Sequence, residues 1–256
     1  MKKLLLSSAA VLGLAAIATP ASANGLSLDL GGHYKGYVAV HDQDDPAGTE
    51  SRAVDWFQET ELHFGGETTL DNGLTVGVHV EAETDGGDAF AVDESYAYFA
   101  GSWGRVNAGD EDGAAYLLQV AAPSADSNID GIRQFINPVS YTNLGIGVTQ
   151  RIDYANDGIN GIALTGDENK LTYLSPIMNG FQAGVSYTPD VGGVITNSLA
   201  GVKAGDVAGS YGEQYEVAGR YEGTFNNVGV IFGAGYTTTQ LEAAAAGLDD
   251  LSLIHI

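Results

Sequence analysis

The residues able to do chemistry are few and of narrow type. The 256-residue chain has five histidines and no cysteine. Without cysteine there is no disulfide framework, no thiolate zinc site and no thiol nucleophile. His33, His63 and His79 lie inside alternating apolar/polar segments, His41 opens a loop beside Asp42, Asp44 and Asp45, and His255 lies in the terminal hexapeptide. No Gly-x-Ser-x-Gly is present, and no Ser/His/Asp set stands out. The chain is therefore not expected to be an enzyme. Asp42-Gln-Asp-Asp45 and Asp85-Gly-Gly-Asp88 carry the oxygen ligands that calcium prefers, but without EF-hand spacing. A hydrated loop tip is the plainer reading of both. Asp42, Asp44 and Asp45 remain weak candidates for loop-bound calcium, and no other cofactor is expected.

What remains is charge. Ten Lys and Arg stand against 33 Asp and Glu, for a formal net charge of −23. A strongly acidic chain has no basic face for phosphate, so nucleic acid is excluded as a partner. Charged residues total 17%, against roughly 25% in an average domain. With 44% hydrophobic residues, this is not the composition of a disordered acidic chain. Glycine, at 36 residues, is about twice as frequent as usual.

The charges are placed by period-two segments. In Leu74–Glu83, Leu74, Val76, Val78, Val80 and Ala82 share one face, while Thr75, Gly77, His79, Glu81 and Glu83 share the other. That is a strand with one apolar and one wet face. Asp71-Asn72-Gly73 turns into it from the alternating run 59–70. The pattern recurs in 215–225 and 228–236 around Asn226-Asn227, in 169–175 and 181–187 around 176–180, in 94–101 and 105–109 around 102–104, and in the opening run 26–40. About nine strands are expected. Their wet faces carry Lys35, Glu59, Glu61, His63, Glu67, His79, Glu81, Glu83, Arg105, Glu216, Arg220 and Glu222.

Two asymmetries point to a transmembrane antiparallel β-barrel. Short turns (71–73, 102–104, 176–180, 226–227) alternate with long polar connections (about 41–55, 84–93, 110–168, 189–212). Such barrels have short turns at one rim and long loops at the other. Tyr34, Tyr37, Trp56, Phe57, Tyr96, Tyr98, Trp103, Phe181, Tyr187, Phe225 and Tyr236 fall near strand ends, as interfacial girdles would. A secreted or surface β-rich adhesin or structural protein is the alternative, with Tyr acting simply as a strand former. Residues 1–23 read as a secretory signal: Met-Lys-Lys, an apolar run to Ala18, and a small-residue end at Ala23. Losing Lys2 and Lys3 takes the formal charge from −23 to −25.

The segment Glu94-Ser-Tyr-Ala-Tyr-Phe-Ala-Gly-Ser-Trp-Gly-Arg-Val-Asn-Ala-Gly109 resembles the strand–turn–strand before the constriction loop of Gram-negative general porins. Asn169–Tyr187, with Tyr-Leu-Ser-Pro followed by Gly-Phe, is similar to the hairpin after that loop in alphaproteobacterial-type porins, and Asp71-Asn-Gly-Leu-Thr-Val is also similar. The resemblance covers residues 1 to about 240. It implies a 16-stranded barrel in the bacterial outer membrane, assembled as a homotrimer by the barrel-assembly machinery. It also implies lipid and lipopolysaccharide contacts, and a third loop, here within 110–168, folded into the lumen. Tyr141–Tyr154 within that loop has an alternation of its own.

The end of the chain departs from the family. Leu251-Ser-Leu-Ile-His-Ile256 shows neither alternation nor a terminal aromatic. One reading frame of a common transposase adapter, CTGTCTCTTATACACATC, encodes the same hexapeptide. Residues 251–256 are accordingly expected to be a library artefact, with 24–250 a C-terminally truncated barrel.

The implied function is passive diffusion of small hydrophilic solutes and ions. Lys35, Glu61, His79, Glu81, Arg105 and Arg220 on the wall are the pore-lining candidates, with Glu111, Asp112, Asp126, Asp130 and Arg133 on the loop. The acidic excess predicts a cation preference. A sugar-specific channel would carry aromatics along the lumen, and none is read at the inward positions.

Overall fold

The computed structural model describes residues 27–40, 42, 44, 45, 47, 48, 50–83, 90–120, 167–191, 209–244 and 249–256. The expected signal segment 1–23, Asp85–Asp88, Asp126, Asp130, Arg133 and the run Tyr141–Tyr154 lie outside these.

Ten strands form one sheet in strict chain order. They are β1 (Ser27–Val40), β2 (Val54–Thr69), β3 (Thr75–Glu83), β4 (Ala91–Gly101), β5 (Gly104–Asp110), β6 (Asn169–Leu174), β7 (Phe181–Thr188), β8 (Tyr211–Phe225), β9 (Val228–Leu241) and β10 (Leu251–His255). Every neighbouring pair is antiparallel. One short helix, α1 (Ala114–Leu117), follows β5. Among the described residues β1 pairs only with β2, and β10 only with β9.

The turns follow their residues. Met178 and Phe181 exchange backbone hydrogen bonds of 2.8 and 2.9 Å across Asn179-Gly180, whose φ values are 52° and 87°. Asn226 and Asn227 have φ of 46° and 67° between the paired Phe225 and Val228. Two consecutive left-handed residues make a type I′ turn, whose twist matches that of the flanking strands. A β-branched residue is strained there. Asn227→Val is expected to cost about 1–2 kcal/mol and to lower the urea midpoint of unfolding in detergent, whereas Asn227→Gly leaves it near wild type.

The sheet is dressed inside out. Thr172, Thr188, Gln214, Thr237 and Thr239 are fully buried (0% exposed), whereas Leu28, Val40 and Val38 are 70%, 74% and 60% exposed. A water-soluble sandwich buries its apolar faces against each other. Here the apolar face looks outward along the whole sheet, as it must where lipid is the solvent. Trp103 and Tyr173 stack at the short-turn end, with ring centroids 6.4 Å apart. Tyr187 and Tyr215, beyond the middle of their strands toward the long connections, both donate to Glu213, at 2.9 and 3.1 Å.

Two expectations need correction. The strand count is ten, because Leu251–His255 pairs with Gly235–Thr239 of β9 although its sequence does not alternate. Backbone pairing needs only a free edge, and β9 provides one. Tyr96 and Tyr98 are inward, not girdle, residues. Their register partners, Gly109 and Asn107, share the face of Arg105, whose guanidinium carbon lies 4.0 Å from the Tyr98 ring centroid. Alternation could not decide this, since Ala97 and Phe99 make the opposite face equally apolar.

Inner wall and infolded segment

The wet faces of β1–β5 form one stretch of inner wall. His33 lies opposite Glu61, His63 opposite Glu81, and His79 opposite Tyr96. Glu61, His63, His79 and Glu81 meet here: His63 Nε2 is 2.7 Å from Glu61, and His79 Nε2 is 2.5 Å from Glu81. Further along, Arg105 donates through Nε to Asn107 Oδ1 (2.5 Å) and lies over the Tyr98 ring. Tyr98 in turn donates to Glu67 at 2.6 Å. The ring covers Gly77, where a Cβ would collide with it.

The chain leaving β5 turns inward onto β6–β9. The Ala114 N–H donates to Ser186 Oγ (2.7 Å) and the Ala115 N–H to Glu216 Oε2 (2.9 Å). Glu216 is held from behind: Gln214 Nε2 donates to its Oε1 (3.0 Å), and the Thr239 hydroxyl donates to Gln214 Oε1 (3.0 Å). A carboxylate accepting the free N–H groups of a first helical turn satisfies donors that no intrahelical partner can reach. Ala115, Tyr116 and Leu118 pack with Ala218 of the wall.

Small residues make room for this segment. A Cβ on Gly233 would stand 3.0 Å from the Leu118 carbonyl oxygen and 3.2 Å from the Val120 nitrogen. One on Gly184 would stand 3.0 Å from Ala114 Cβ, and one on Gly113 would strike the Glu216 carboxylate. Buried Lys170 donates to the Glu111 and Glu168 carbonyls, pinning both ends of the long connection. Arg220 Nη1 reaches the Gln119 carbonyl at 3.4 Å, and Nη2 lies 3.6 Å from Glu222.

Two acids of the connection are buried with their charge only partly compensated. Burial pushes Glu111 up to about 7, opposed by the charge of Arg105 and a hydrogen bond from Asn107. Burial, then the charge of Asp93, pushes Asp167 up to about 7. Glu168 is also raised by burial, against the pull of Lys170.

The structure thus brings Glu61, His79, Glu81, Arg105, Glu111, Asp112 and Arg220 to the inner wall or the segment laid on it. Lys35 takes a register position opposite Glu59, and its side chain is outside the described set. Asp42 and Asp44 are exposed, and the Asp45 carboxylate accepts the Ser51 N–H and hydroxyl, each at 2.5 Å. Among the described residues, acidic and histidine groups converge elsewhere. Sequence reasoning missed Lys170, Ser186 and Thr239, and it read Gln214 only as a wet-face residue beside Glu216. Lys170 is a cation within an alternating run, a signal that could have been used; Ser186 and Thr239 carried none.

The sheet thus carries one polar and one apolar face, and the segment 111–120 lies on the polar one. The model of the Gram-negative porin family matches residues 8–254. The chain belongs to that family. The porin is accordingly an outer-membrane protein of a family of channels. Among solved structures it is similar to the anion-selective porin of Comamonas acidovorans: 17% identity, TM-score 0.48, covering 89% of this chain and 66% of that one. It is also similar to a variant of the Rh. blastica porin: 17% identity, TM-score 0.45, covering 89% and 68%. The porin therefore spans about two thirds of the length of each. No curated protein matches the chain.

Proposed function

We propose that this porin passes small hydrophilic solutes and ions by passive diffusion through a water-filled lumen, with a preference for cations. The observation that carries the reading is the segment 111–120, folded against β6–β9 on the polar face of the sheet. A narrowed wet passage limits solute size and lets wall charges act at short range. Glu61, Glu67, Glu81, Glu216 and Glu222 outnumber Arg105, Lys170 and Arg220 on that face. Lipid outside the wall has a low dielectric, which focuses this negative potential into the lumen.

Planar-bilayer reversal potentials under a KCl gradient test the preference. Wild-type protein is expected to show K⁺ more permeant than Cl⁻, and Glu61→Gln/Glu81→Gln to move the zero-current potential toward the Cl⁻ side. Anion preference in the wild type refutes the proposal.

The apolar outer face also suits a homotrimer in outer-membrane lipid, inserted by the barrel-assembly machinery after removal of residues 1–23. The exposed carboxylates of Asp42 and Asp44 suit shared divalent cations, calcium among them, with lipopolysaccharide phosphates. We propose that 251–256 is encoded by an adapter; sequencing the locus past codon 250 decides this.

A further inference from the structure

We propose that the inner wall of β1–β3 holds a divalent transition-metal site, of the zinc class, built from His63, His79 and Glu81 with His33 and Glu61 alongside. Two donor triads, His33–Glu61–His63 and His63–His79–Glu81, each have their ligand atoms within 4.8 Å of one another, and they share His63. The sheet itself creates the arrangement. Glu61 and His63, and likewise His79 and Glu81, are two apart on one strand and so face the same way. His33 pairs with Glu61, and His63 with Glu81, in the ladder between strands. Five ligating groups thus sit on adjacent positions of a rigid lattice, without any loop.

The contacts already converge on common oxygens. Glu81 Oε1 is 2.5 Å from His79 Nε2 and 3.4 Å from His63 Nδ1, and Glu61 Oε1 is 2.7 Å from His63 Nε2. The rings of His63 and His79 meet edge-on, with centroids 5.6 Å apart, so that their nitrogens approach while their planes stay clear. Imidazole nitrogens with a carboxylate oxygen are a zinc donor set, at metal–ligand distances of about 2.0–2.2 Å. Ligand atoms about 2.0 Å from one tetrahedral ion stand roughly 3.3 Å apart, so the 2.5 Å His79–Glu81 contact must open slightly to admit the ion. The nitrogen donors disfavour Mg²⁺ and Ca²⁺, which take oxygen ligands. The four side chains of His63, His79, Glu61 and Glu81 are 16–26% exposed, so an ion reaches them from the wet face. The plainer alternative is a hydrogen-bonded His–Glu network that needs no metal.

The test does not require conduction, so it is independent of the permeation reading. The full chain, carrying no affinity-tag histidines, is folded in detergent micelles and titrated with ZnCl₂ by calorimetry at pH 7.5 in the presence of Mg²⁺. Wild-type protein is expected to bind one Zn²⁺. His63→Asn and His79→Asn are each expected to weaken binding about tenfold or more, with strand content by circular dichroism unchanged. His41→Asn, outside the triads, keeps wild-type affinity. A measurement needing no variant is the electron paramagnetic resonance of the Cu²⁺-loaded wild type, where nitrogen hyperfine structure from two imidazoles is expected. Folded wild type that takes up no Zn²⁺, affinity unchanged in both triad variants, or an oxygen-only Cu²⁺ spectrum overturns the site.

Discussion

Gly233→Val is expected to lift segment 111–120 off the inner wall and raise single-channel conductance. The new side chain begins 3.0 Å from the Leu118 carbonyl oxygen and 3.2 Å from the Val120 nitrogen, both backbone atoms that cannot rotate aside. Overpacking of this kind costs roughly 1–3 kcal/mol. The opposing hold includes the Ala114 bond to Ser186 and the charge-assisted Ala115 bond to Glu216. Those contribute about 1 and about 1.5–3 kcal/mol. The single variant therefore shifts a docking balance, and adding Glu216→Ala removes the stronger bond as well. The double variant is expected to show higher conductance, noisier open-channel current and faster proteolysis within 110–168. Conductance and proteolysis equal to wild type in the double variant would show that these contacts do not hold the segment.

Cation preference is expected to strengthen as pH rises through 7. Glu111, on the infolded segment, is pushed by burial from an ordinary 4.5 to about 7, and Asp167 is pushed to about 7 as well. A group goes from about one tenth to nine tenths ionised across two pH units. Between pH 6 and pH 8 the two groups therefore gain most of two negative charges. Reversal potentials in KCl gradients should report this, and Glu111→Gln should remove part of the slope while Asp167 keeps the rest. Stability moves the other way. A carboxyl whose folded value lies above its unfolded value favours folding below about 4.5, and that contribution is lost as pH rises through about 7. The shift corresponds to on the order of 3 kcal/mol. Glu111→Gln is therefore expected to be more heat-resistant than wild type at pH 9, with the gap closing at pH 5. Arg105, Lys170 and His79, which face Glu111, oppose the upward shift, and neutralising Arg105 should move the midpoint higher.

The strands were legible because lipid and water impose a period of two on each. The alternation in 74–83 placed His79 and Glu81 on one face, and in the ladder Glu81 lies opposite His63 and His79 opposite Tyr96. Asn226-Asn227 marked its hairpin because both residues tolerate positive φ. Failure came where alternation is uninformative. Tyr96 and Tyr98 alternate with Ala97 and Phe99, so the period was visible and its phase was not. Residues 251–255 have no period, yet the β9 edge pairs with them. The docking of α1 was expected only from family resemblance. Its partners are 72 and 101 residues away, and no local pattern encodes contacts at that distance.

Strict chain order has a temporal consequence. Each strand pairs with the one made just before it, so the sheet can grow at a single advancing edge, one hairpin at a time. Segment 111–120 emerges before β6–β9, the surface it rests on, so it must wait for later strands to supply Ser186, Glu216 and Gly233. The resting place of that segment is thus among the last features to be completed. The position of that segment is fixed only after the strands that hold it are in place.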